Sequence, residues 1–424
     1  MPIRQNYYKL TKAISQKTGD EMETRQIDTQ FDSQKIIYHP AWLKRWLNDP
    51  FSAPPIYMEI SPIGLCNHRC TFCAKEVMGY PDRSIPKERL LWFVQELAYL
   101  RSHDPDGLGV KSLMHAGEGE PTLYKDLAEV IVETTKCGIE SALTTNATGL
   151  TEKFLDTALP HLSWIKASVN AGKKETYTKI HKAKPNHWDT VWRNLERAIE
   201  IRVKFGYSCE IGCQTVLLVN DTTDLDGTVV PANWQEATDL AKKAKETGLD
   251  HVVIKPYGQN PYSLGTMQRY GNMKYNGFLK ELEEMDKELQ KLNNENFKVV
   301  FRWNTILSYE KPKREYEKCL ATPMSWAYLQ SDGMLISCAA HNSNPDFDLG
   351  NIKDKTFKEI WWGERRRRHI EFMKNFDISA CRKNCRMNFV NEALWNLETK
   401  RQSGLVSIQE TFPPDSLPKN VNFI

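Results

Sequence analysis

Two repeating patterns of hydrophobic and polar positions run along most of the chain. Short apolar runs that end in polar loops predict strands near residues 56–61, 111–116, 140–145, 164–169, 209–219, 251–254 and 298–303. Apolar residues at helical spacing predict helices over 84–100, 127–137, 188–202, 234–247 and 278–292. Six strands that are each followed by a helix predict a parallel sheet with right-handed crossovers. We therefore expect an α/β fold, a partial (β/α)6 TIM-like barrel.

This pattern stops near residue 310. Apolar runs at 326–329 and 334–337 flank Ser331-Asp332-Gly333 and predict a hairpin, and short helices are predicted over 357–361, 365–373 and 388–397. The sequence thus predicts a small C-terminal α+β module. The predicted organisation is an N-terminal extension (1–50, with an amphipathic patch at 42–47), a barrel (51–310), the module (311–400) and a C-terminal tail (401–424).

Charge and hydropathy exclude several classes of protein. The chain has 57 basic and 54 acidic residues, a net charge of +3, which gives no electrostatic reason to expect a nucleic-acid partner. It contains no apolar run of about 18 residues, and its first residues lack the apolar segment of a secretory signal. We expect a cytoplasmic protein without a membrane partner, in which the ten cysteines are free to bind metal rather than to form disulfides.

A first group of cysteines, Cys66, Cys70 and Cys73, directly follows the first predicted strand with the spacing C-x3-C-x2-C. An iron–sulfur cube normally takes four thiolates. Three thiolates on one loop therefore leave one iron without a protein ligand, and such an iron can chelate a small molecule. The alternatives are a zinc loop in which His68 is the fourth ligand, and three cysteines without a metal.

Polar residues lie at the ends of the next predicted strands. The second strand runs into Gly119-Glu120-Pro121, and the third and fourth end at Thr144-Thr145-Asn146 and Ser168-Val169-Asn170. Because strand ends in such a fold carry the chemistry, these residues are candidate ligand contacts. The alternatives are an ordinary acidic turn and simple capping of the strands.

A second group of cysteines lies in the C-terminal module. Cys319 and Cys338 are separated as C-x13-G-x4-C, and Cys381 and Cys385 follow as C-x3-C. Four thiolates can fully ligate one auxiliary iron–sulfur cluster. A structural zinc bound by four cysteines is the alternative.

The order of these motifs resembles the radical S-adenosylmethionine (SAM) superfamily. The resemblance covers about residues 55–395 and includes Phe72 before the last cysteine of the first loop, although Glu118 replaces the first glycine of the family's Gly-Gly-Glu-Pro motif. The C-terminal stretch resembles the family's SPASM and twitch modules, and its cysteine count fits the shorter twitch form. The resemblance implies two [4Fe–4S] clusters and SAM, with SAM-binding contacts from Phe72, Gly119, Glu120, Thr145, Ser168 and Asn170.

The resemblance also implies a reaction. We expect reductive cleavage of SAM to a 5′-deoxyadenosyl radical and hydrogen abstraction from a carbohydrate-like small molecule, nucleotide-linked or an aminocyclitol, by a dehydrogenase or an epimerase. A reducing partner such as flavodoxin or ferredoxin is implied. The alternatives are a peptide-modifying maturase and, in another class, a non-catalytic metal-binding interaction protein.

A few other residues have two interpretations each. Cys209 and Cys213 are either core residues, the favoured interpretation, or hydrogen donors inside the barrel, whereas Cys137 is expected in the core. Arg365–Arg368 could bind a phosphate or carboxylate but is more typical of a solvated helix face. Lys255 and Tyr257 follow the sixth strand and are candidate substrate contacts.

Overall fold

The computed structural model describes residues 33–311, 313–382, 384–403 and 417–424. Residues 1–32 of the predicted N-terminal extension and residues 404–416 of the predicted tail lie outside the described residues. Within the described part, the amphipathic patch forms helix α1 (Pro40–Asn48), which buries Trp42, Leu43, Trp46 and Leu47.

One large sheet of ten strands organises the described residues, in the order β12-β11-β10-β1-β2-β3-β4-β5-β8-β9. Strands β1 through β5, then β8 and β9, pair in parallel, and a small separate sheet is formed by β6 and β7. Since the strands at the two ends of this order do not pair with each other, the barrel is open. The strands are β1 (Tyr57–Ile60), β2 (Ser112–His115), β3 (Glu140–Thr145), β4 (Trp164–Ser168), β5 (Glu210–Leu217), β6 (Thr222–Thr223), β7 (Val229–Val230), β8 (His251–Pro256), β9 (Lys298–Phe301), β10 (Trp326–Leu329), β11 (Met334–Ile336) and β12 (Asp348–Asn351).

Helices follow the parallel strands, as the alternating pattern predicts. They are α2 (Lys87–Ser102), α3 (Leu127–Lys136), α4 (Glu152–Ala158), α5 (Lys174–His181), α6 (Asn186–Phe205), α7 (Ala237–Glu246), α8 (Leu264–Tyr270), α9 (Leu279–Gln290) and α10 (Trp303–Glu310). The C-terminal part adds α11 (Phe357–Trp361), α12 (Glu364–Asn375) and α13 (Asn388–Gln402). Helix α10 begins at Trp303, where the sequence pattern predicted that the last strand continues.

The predicted C-terminal hairpin is present, but it extends the main sheet. Strand β10 pairs in parallel with β1, with Trp326 opposite Tyr57 and Leu329 opposite Ile60, and β11 and β12 continue antiparallel from it. This long-range pairing covers the edge that β1 would otherwise expose. Backbone hydrogen bonds therefore join the two parts of the chain that bear the cysteine groups.

The two faces of the sheet pack against different elements. The outer face, with residues such as Leu113, Ile165 and Cys213, packs on the helices that follow the strands. The inner face, with residues such as Met114 and Trp164, packs with α1, α13 and the segment 417–424. Because side chains alternate along a strand, this division decides which residues can reach the interior of the open barrel.

Candidate functional site

The first cysteine loop lies at the carboxyl edge of the parallel strands, where backbone hydrogen bonds hold it. The Glu120 amide donates to the Leu65 carbonyl at 2.8 Å. The amides of Arg69 and Thr71 donate to the carbonyls of His181 and Ile180, at 3.0 and 2.9 Å. The loop is thus connected to the acidic turn after β2 and to the end of α5.

Its three thiols lie close enough to affect one another. Burial raises the pKa of Cys66 to about 11, and the neighbouring Glu120 and Cys73 add to the effect. Burial, then Cys73 and Cys66, raises the pKa of Cys70 well above its ordinary value, and burial also raises that of Cys73. Buried neighbouring thiols lose their protons when they ligate a metal ion. These three side chains therefore fit an iron–sulfur cluster.

Two histidines that the sequence analysis did not select, His181 and His187, lie beside the first cysteine loop. The Cys70 Sγ lies 3.2 Å from His181 Nδ1, and His181 Nε2 lies 2.7 Å from the Val169 carbonyl oxygen. His68 Nε2 lies 2.9 Å from His187 Nδ1. Burial lowers the pKa of His181 to about 4 and that of His68 to about 3, so both rings are neutral near pH 7.

These contacts bear on the zinc alternative. Among the described residues, the potential ligand atoms of His68, Cys70 and His181 lie within 4.8 Å of one another. That set differs from the three cysteines plus His68 that the zinc interpretation requires. The approach of His181 was not detectable in the sequence, because it depends on how α5 packs beside the loop.

The acidic turn fits tightly under the cysteine loop. A Cβ on Gly119 would collide with the carbonyl oxygens of Leu65 and Ile63. Glu120 is buried, and its carboxylate accepts hydrogen bonds from Thr122 Oγ1 at 2.7 Å, from the Asn146 amide at 2.7 Å, and from the Thr145 hydroxyl. Burial raises the pKa of Glu120, and these hydrogen bonds oppose the rise. In this arrangement Glu120 and Thr145 join the turn to the end of β3.

The other predicted SAM contacts lie in two places. Phe72 lies edge-on to the His181 ring at 6.1 Å, and Asn170 Nδ2 lies 3.3 Å from His181 Nε2, so both are beside the cysteine loop. Asn170 has a φ of 57° and accepts a hydrogen bond from the Val216 amide at 2.7 Å. Ser168 accepts a hydrogen bond from Gln214 Nε2 at 2.9 Å on the inner face of the sheet.

Glu118, the departure from the family motif, has a structural role. Its buried carboxylate forms an ion pair with Arg83 at 3.3 Å and accepts a hydrogen bond from the Ser331 hydroxyl in the β10–β11 turn. The residue that replaces glycine thus turns away from the cysteine loop and joins the acidic turn to the C-terminal hairpin.

The second cysteine group is also brought together in space. Burial is the main cause of the raised thiol pKa values of Cys319, Cys338 and Cys381, and each of the three is also affected by Cys385. For Cys381 the pKa is about 12. Four neighbouring thiols, one buried and three half-buried, are a suitable donor set for a fully ligated cluster.

A chain of contacts joins the two cysteine groups across the loop after β8 and helix α8. His341 Nε2 lies 3.6 Å from Cys381 Sγ, and His341 Nδ1 lies 2.8 Å from the Tyr262 hydroxyl. At the other end of this segment, Arg269 donates to the Thr71 carbonyl at 2.9 Å and pairs with Glu76 at 2.9 Å. Asn384 Nδ2 donates to the Pro256 carbonyl at 2.8 Å, which fixes the second group over the carboxyl end of β8.

The remaining candidates divide between the two faces. Cys209 and Cys213 are buried in the outer core with the helices, which agrees with the favoured interpretation and excludes them as donors inside the barrel. Cys137 is half-buried against the same core. Lys255 reaches the inner face, whereas Tyr257 is buried beside Tyr270.

Both interpretations of the arginine run are wrong for Arg366. Its side chain is buried, donates to the carbonyls of Pro323, Phe51 and Trp361 at 3.1, 2.9 and 2.9 Å, and stacks on the Trp361 ring at 4.0 Å. Arg365, Arg367 and Arg368 are exposed. Because α12 turns by about 100° per residue, only one arginine of the four points inward.

Comparison with known proteins places this geometry in a family. Residues 60–224 match the radical SAM superfamily, and residues 319–386 match the SPASM iron–sulfur cluster-binding domain. The chain therefore belongs to the radical SAM superfamily and carries a SPASM domain, which confirms the resemblance and the fold class. Such a chain uses SAM and a [4Fe–4S] cluster, as predicted, and its SPASM domain implies auxiliary iron–sulfur binding in addition.

Two relatives and one solved structure illustrate the similarity. An S-adenosylmethionine-dependent nucleotide dehydratase of Flammeovirga pacifica is 24% identical over 206 residues, which are 46% of this chain and 67% of that protein. A GTP 3′,8-cyclase of Haemophilus influenzae is 29% identical over 177 residues, 41% of this chain and 48% of the relative. The crystal structure of Streptococcus suis SuiB bound to precursor peptide SuiA superposes with a TM-score of 0.55 at 17% identity, covering 86% of this chain and 77% of SuiB.

The matches therefore span about two thirds of the first relative and about half of the second. The likeness to SuiB concerns the fold alone. In the part of the chain that the structure describes, no helix is long and apolar enough to cross a membrane.

Proposed function

We propose that this protein is a radical SAM oxidoreductase that oxidises a small carbohydrate-like substrate between its two cysteine groups. One observation carries the proposal. The two groups occupy the same carboxyl edge of the sheet, joined through residues 257–270, while Cys209 and Cys213 point to the opposite face. With a cluster bound at each group, the first group would supply an electron and the second would accept one, on the two sides of one substrate site.

Each cysteine group has its own role in the proposal. Cys66, Cys70 and Cys73 hold the SAM-binding cluster, and Cys319, Cys338, Cys381 and Cys385 hold one auxiliary cluster. Three ligands leave a coordination position for SAM, and four leave none. Gly119 lets the acidic turn pack under the first loop, and it is a proposed SAM contact together with Glu120. Phe72, Thr145 and Asn170 are proposed SAM contacts beside the loop, and Ser168 is one on the inner face of the sheet.

When bound, SAM would supply a radical that removes a hydrogen atom from a substrate C–H bond, and the auxiliary cluster would supply an electron acceptor. An alcohol that loses a hydrogen atom, an electron and its hydroxyl proton to solvent becomes a carbonyl compound. The protein's part is to hold the substrate beside SAM and to exclude water. A low-potential donor such as flavodoxin or ferredoxin supplies the first electron.

Oxidation is favoured over epimerisation by the positions of the cysteines. An epimerase must return a hydrogen atom from a side chain, and a thiol is the usual source. Seven of the ten cysteines belong to the two groups, and the other three lie in or against the outer core. All ten cysteines are among the residues that the structure describes, and none of them outside the two groups lies on the inner face.

The substrate class is supported by the relatives. The dehydratase acts on a nucleotide and the cyclase on GTP, as their names state, although their reactions differ. A nucleotide-linked or phosphorylated sugar is consistent with both names. SuiB was solved with a peptide, but that likeness concerns the fold and gives no separate support to peptide modification.

The experiment is anaerobic reconstitution followed by reaction with SAM, dithionite and a panel of nucleotide-linked and phosphorylated sugars. We expect about eight irons per chain from two cubes, formation of 5′-deoxyadenosine, and a product two mass units lighter. In heavy water the substrate recovered after turnover should contain no carbon-bound deuterium, whereas an epimerase would incorporate it from an exchangeable thiol.

Three variants give the controls. Cys66→Ala should abolish SAM cleavage. Cys319→Ala should retain cleavage and lose the oxidised product, with about four irons. Cys213→Ala should behave as the wild type in both assays. Zinc occupancy without SAM cleavage would contradict the enzyme proposal and favour the metal-binding interaction protein.

A further inference from the structure

Positively charged side chains converge on the inner face of strands β4, β5, β8 and β9. Ser168 is opposite Gln214, Val216 is opposite Lys255, and Ile254 is opposite Phe301. Because side chains alternate along a strand, Lys166, Ser168, Gln214, Lys255 and Arg302 therefore share one face. Their neighbours along the strands, such as Ala167, Cys213 and Ile254, belong to the outer core.

A hydrogen-bonded chain fixes the central lysine. Lys255 Nζ donates to Gln214 Oε1 at 2.9 Å, and Gln214 Nε2 donates to Ser168 Oγ at 2.9 Å. This leaves Lys255 with two further N–H donors, since an ammonium group has three. The lysine is therefore held in a defined position at the carboxyl end of β8.

A further cation comes from the C-terminal part of the chain. Arg382 follows Cys381 in the loop that Asn384 attaches to the Pro256 carbonyl of β8. The Nε of Arg382 is buried and has no hydrogen-bond partner among the described residues. A buried N–H donor without a partner is costly, so this Nε is a candidate donor to a ligand group.

The charges influence one another. Burial, and then the charges of Lys166, Arg302 and Arg382, lower the pKa of Lys255 to about 7. Burial and Arg302 lower the pKa of Lys166 to about 8, while Glu210 opposes the change. Glu210 also accepts a hydrogen bond from Asn420 Nδ2 at 2.8 Å, toward the amino end of the strands. Cations crowded in this way are stabilised by an anion with more than one charge.

We infer that Lys255 and Arg382, flanked by Lys166 and Arg302, bind a phosphate or diphosphate group of the substrate. The inference rests on the proposed function and deepens it, because it assigns the charged part of the substrate to named residues. A guanidinium binds phosphate oxygens as a fork, and lysines add point charges. Since Arg382 adjoins Cys381, this arrangement would hold the substrate directly below the second cysteine group.

Pyrophosphate binding to the reconstituted full chain tests this inference, measured by isothermal titration calorimetry with SAM present. We expect saturable binding that weakens as salt rises, and a loss of about tenfold or more in Lys255→Met. Lys255→Arg should restore most of the affinity. The matched control is Lys291→Met, at an exposed lysine on the protein surface, which should bind as the wild type does.

Glucose 1-phosphate and UDP-glucose form the other two arms of the experiment. Tighter binding of the nucleotide sugar than of pyrophosphate would identify a nucleotide-linked substrate, and equal binding of the simple phosphate ester would identify a sugar phosphate. No saturable binding of pyrophosphate to the wild type, or equal binding to Lys255→Met, would overturn the inference. Formation of 5′-deoxyadenosine, measured on the same samples, reports separately on the radical SAM activity.

Discussion

The hydroxyl of Ser331 donates a hydrogen bond to the buried carboxylate of Glu118, and so joins the turn after β2 to the hairpin of the C-terminal part. The family motif has glycine at the position of Glu118. Here the Glu118 side chain points out of the turn and contacts Arg83 and Ser331. These contacts connect the turn below the first cysteine loop to the C-terminal part that bears the second cysteine group.

Glu118→Ala should therefore destabilise the chain. It removes the carboxylate partner of Ser331 and of Arg83, and loss of one partner in a buried pair costs about 2–4 kcal/mol. Chemical denaturation measures the change in the free energy of unfolding. Glu129→Ala, which removes an exposed surface pair with Lys87, is the control and should change stability by less than about 1 kcal/mol. Equal effects of the two variants would contradict the role assigned to Glu118.

Gly119→Ala should disrupt the first cysteine loop. The added methyl group would collide with the backbone oxygens of Leu65 and Ile63, which cannot move without shifting the loop. We expect loss of SAM binding and about 3 kcal/mol or more of destabilisation. Gly277→Ala is a matched control, since a Cβ there meets no atom within 4 Å. Normal SAM affinity in Gly119→Ala would show that the turn tolerates the shift.

Arg366→Ala should be strongly destabilising. The substitution leaves three carbonyls without their donor and empties the space beside Trp361. Unsatisfied buried acceptors and the cavity together cost about 3–5 kcal/mol. Arg368→Ala, on the exposed face of the same helix, should stay within about 0.5 kcal/mol of the wild type. Thermal unfolding of the two variants under one condition makes the comparison.

Acid should destabilise the protein partly through His115. Burial lowers the pKa of His115 to about 4, from an ordinary value of 6.5. The unfolded chain therefore binds the proton more tightly, and stability falls as the pH drops from about 6.5 toward 4. Between pH 7 and pH 5, this residue alone should lower the free energy of unfolding by about 2 kcal/mol.

The measurement is the free energy of unfolding at pH 7 and pH 5. His115→Asn should lose less stability than the wild type over this interval, because the titrating group is gone. His103→Asn, at an exposed position, should lose as much as the wild type. A wild-type decrease that His115→Asn leaves unchanged would assign the acid sensitivity to other buried histidines.

Much of the local structure could be predicted from hydrophobic spacing. The strand at 140–145 and the helix at 357–361 occur at the bounds that the pattern predicts. The strand follows the turn at Gly138, and the helix begins at the capping box of Thr356 and Glu359. The pattern did not predict α8 or the β6–β7 hairpin. Both are short, and their few apolar residues are stabilised by tertiary contacts such as that of Arg269 with Asp224 at 2.9 Å.

The sequence by itself determined the class of protein. Cys66, Cys70 and Cys73 are close together along the chain, so their spacing alone defines a three-thiolate loop, and strand periodicity places that loop at a sheet edge. Only the tertiary structure decided which distant groups meet. The contacts of His181 with Cys70, Glu118 with Ser331, and β10 with β1 join residues more than 100 positions apart. Such contacts form where packed surfaces fit, and no local pattern of residue types encodes that fit.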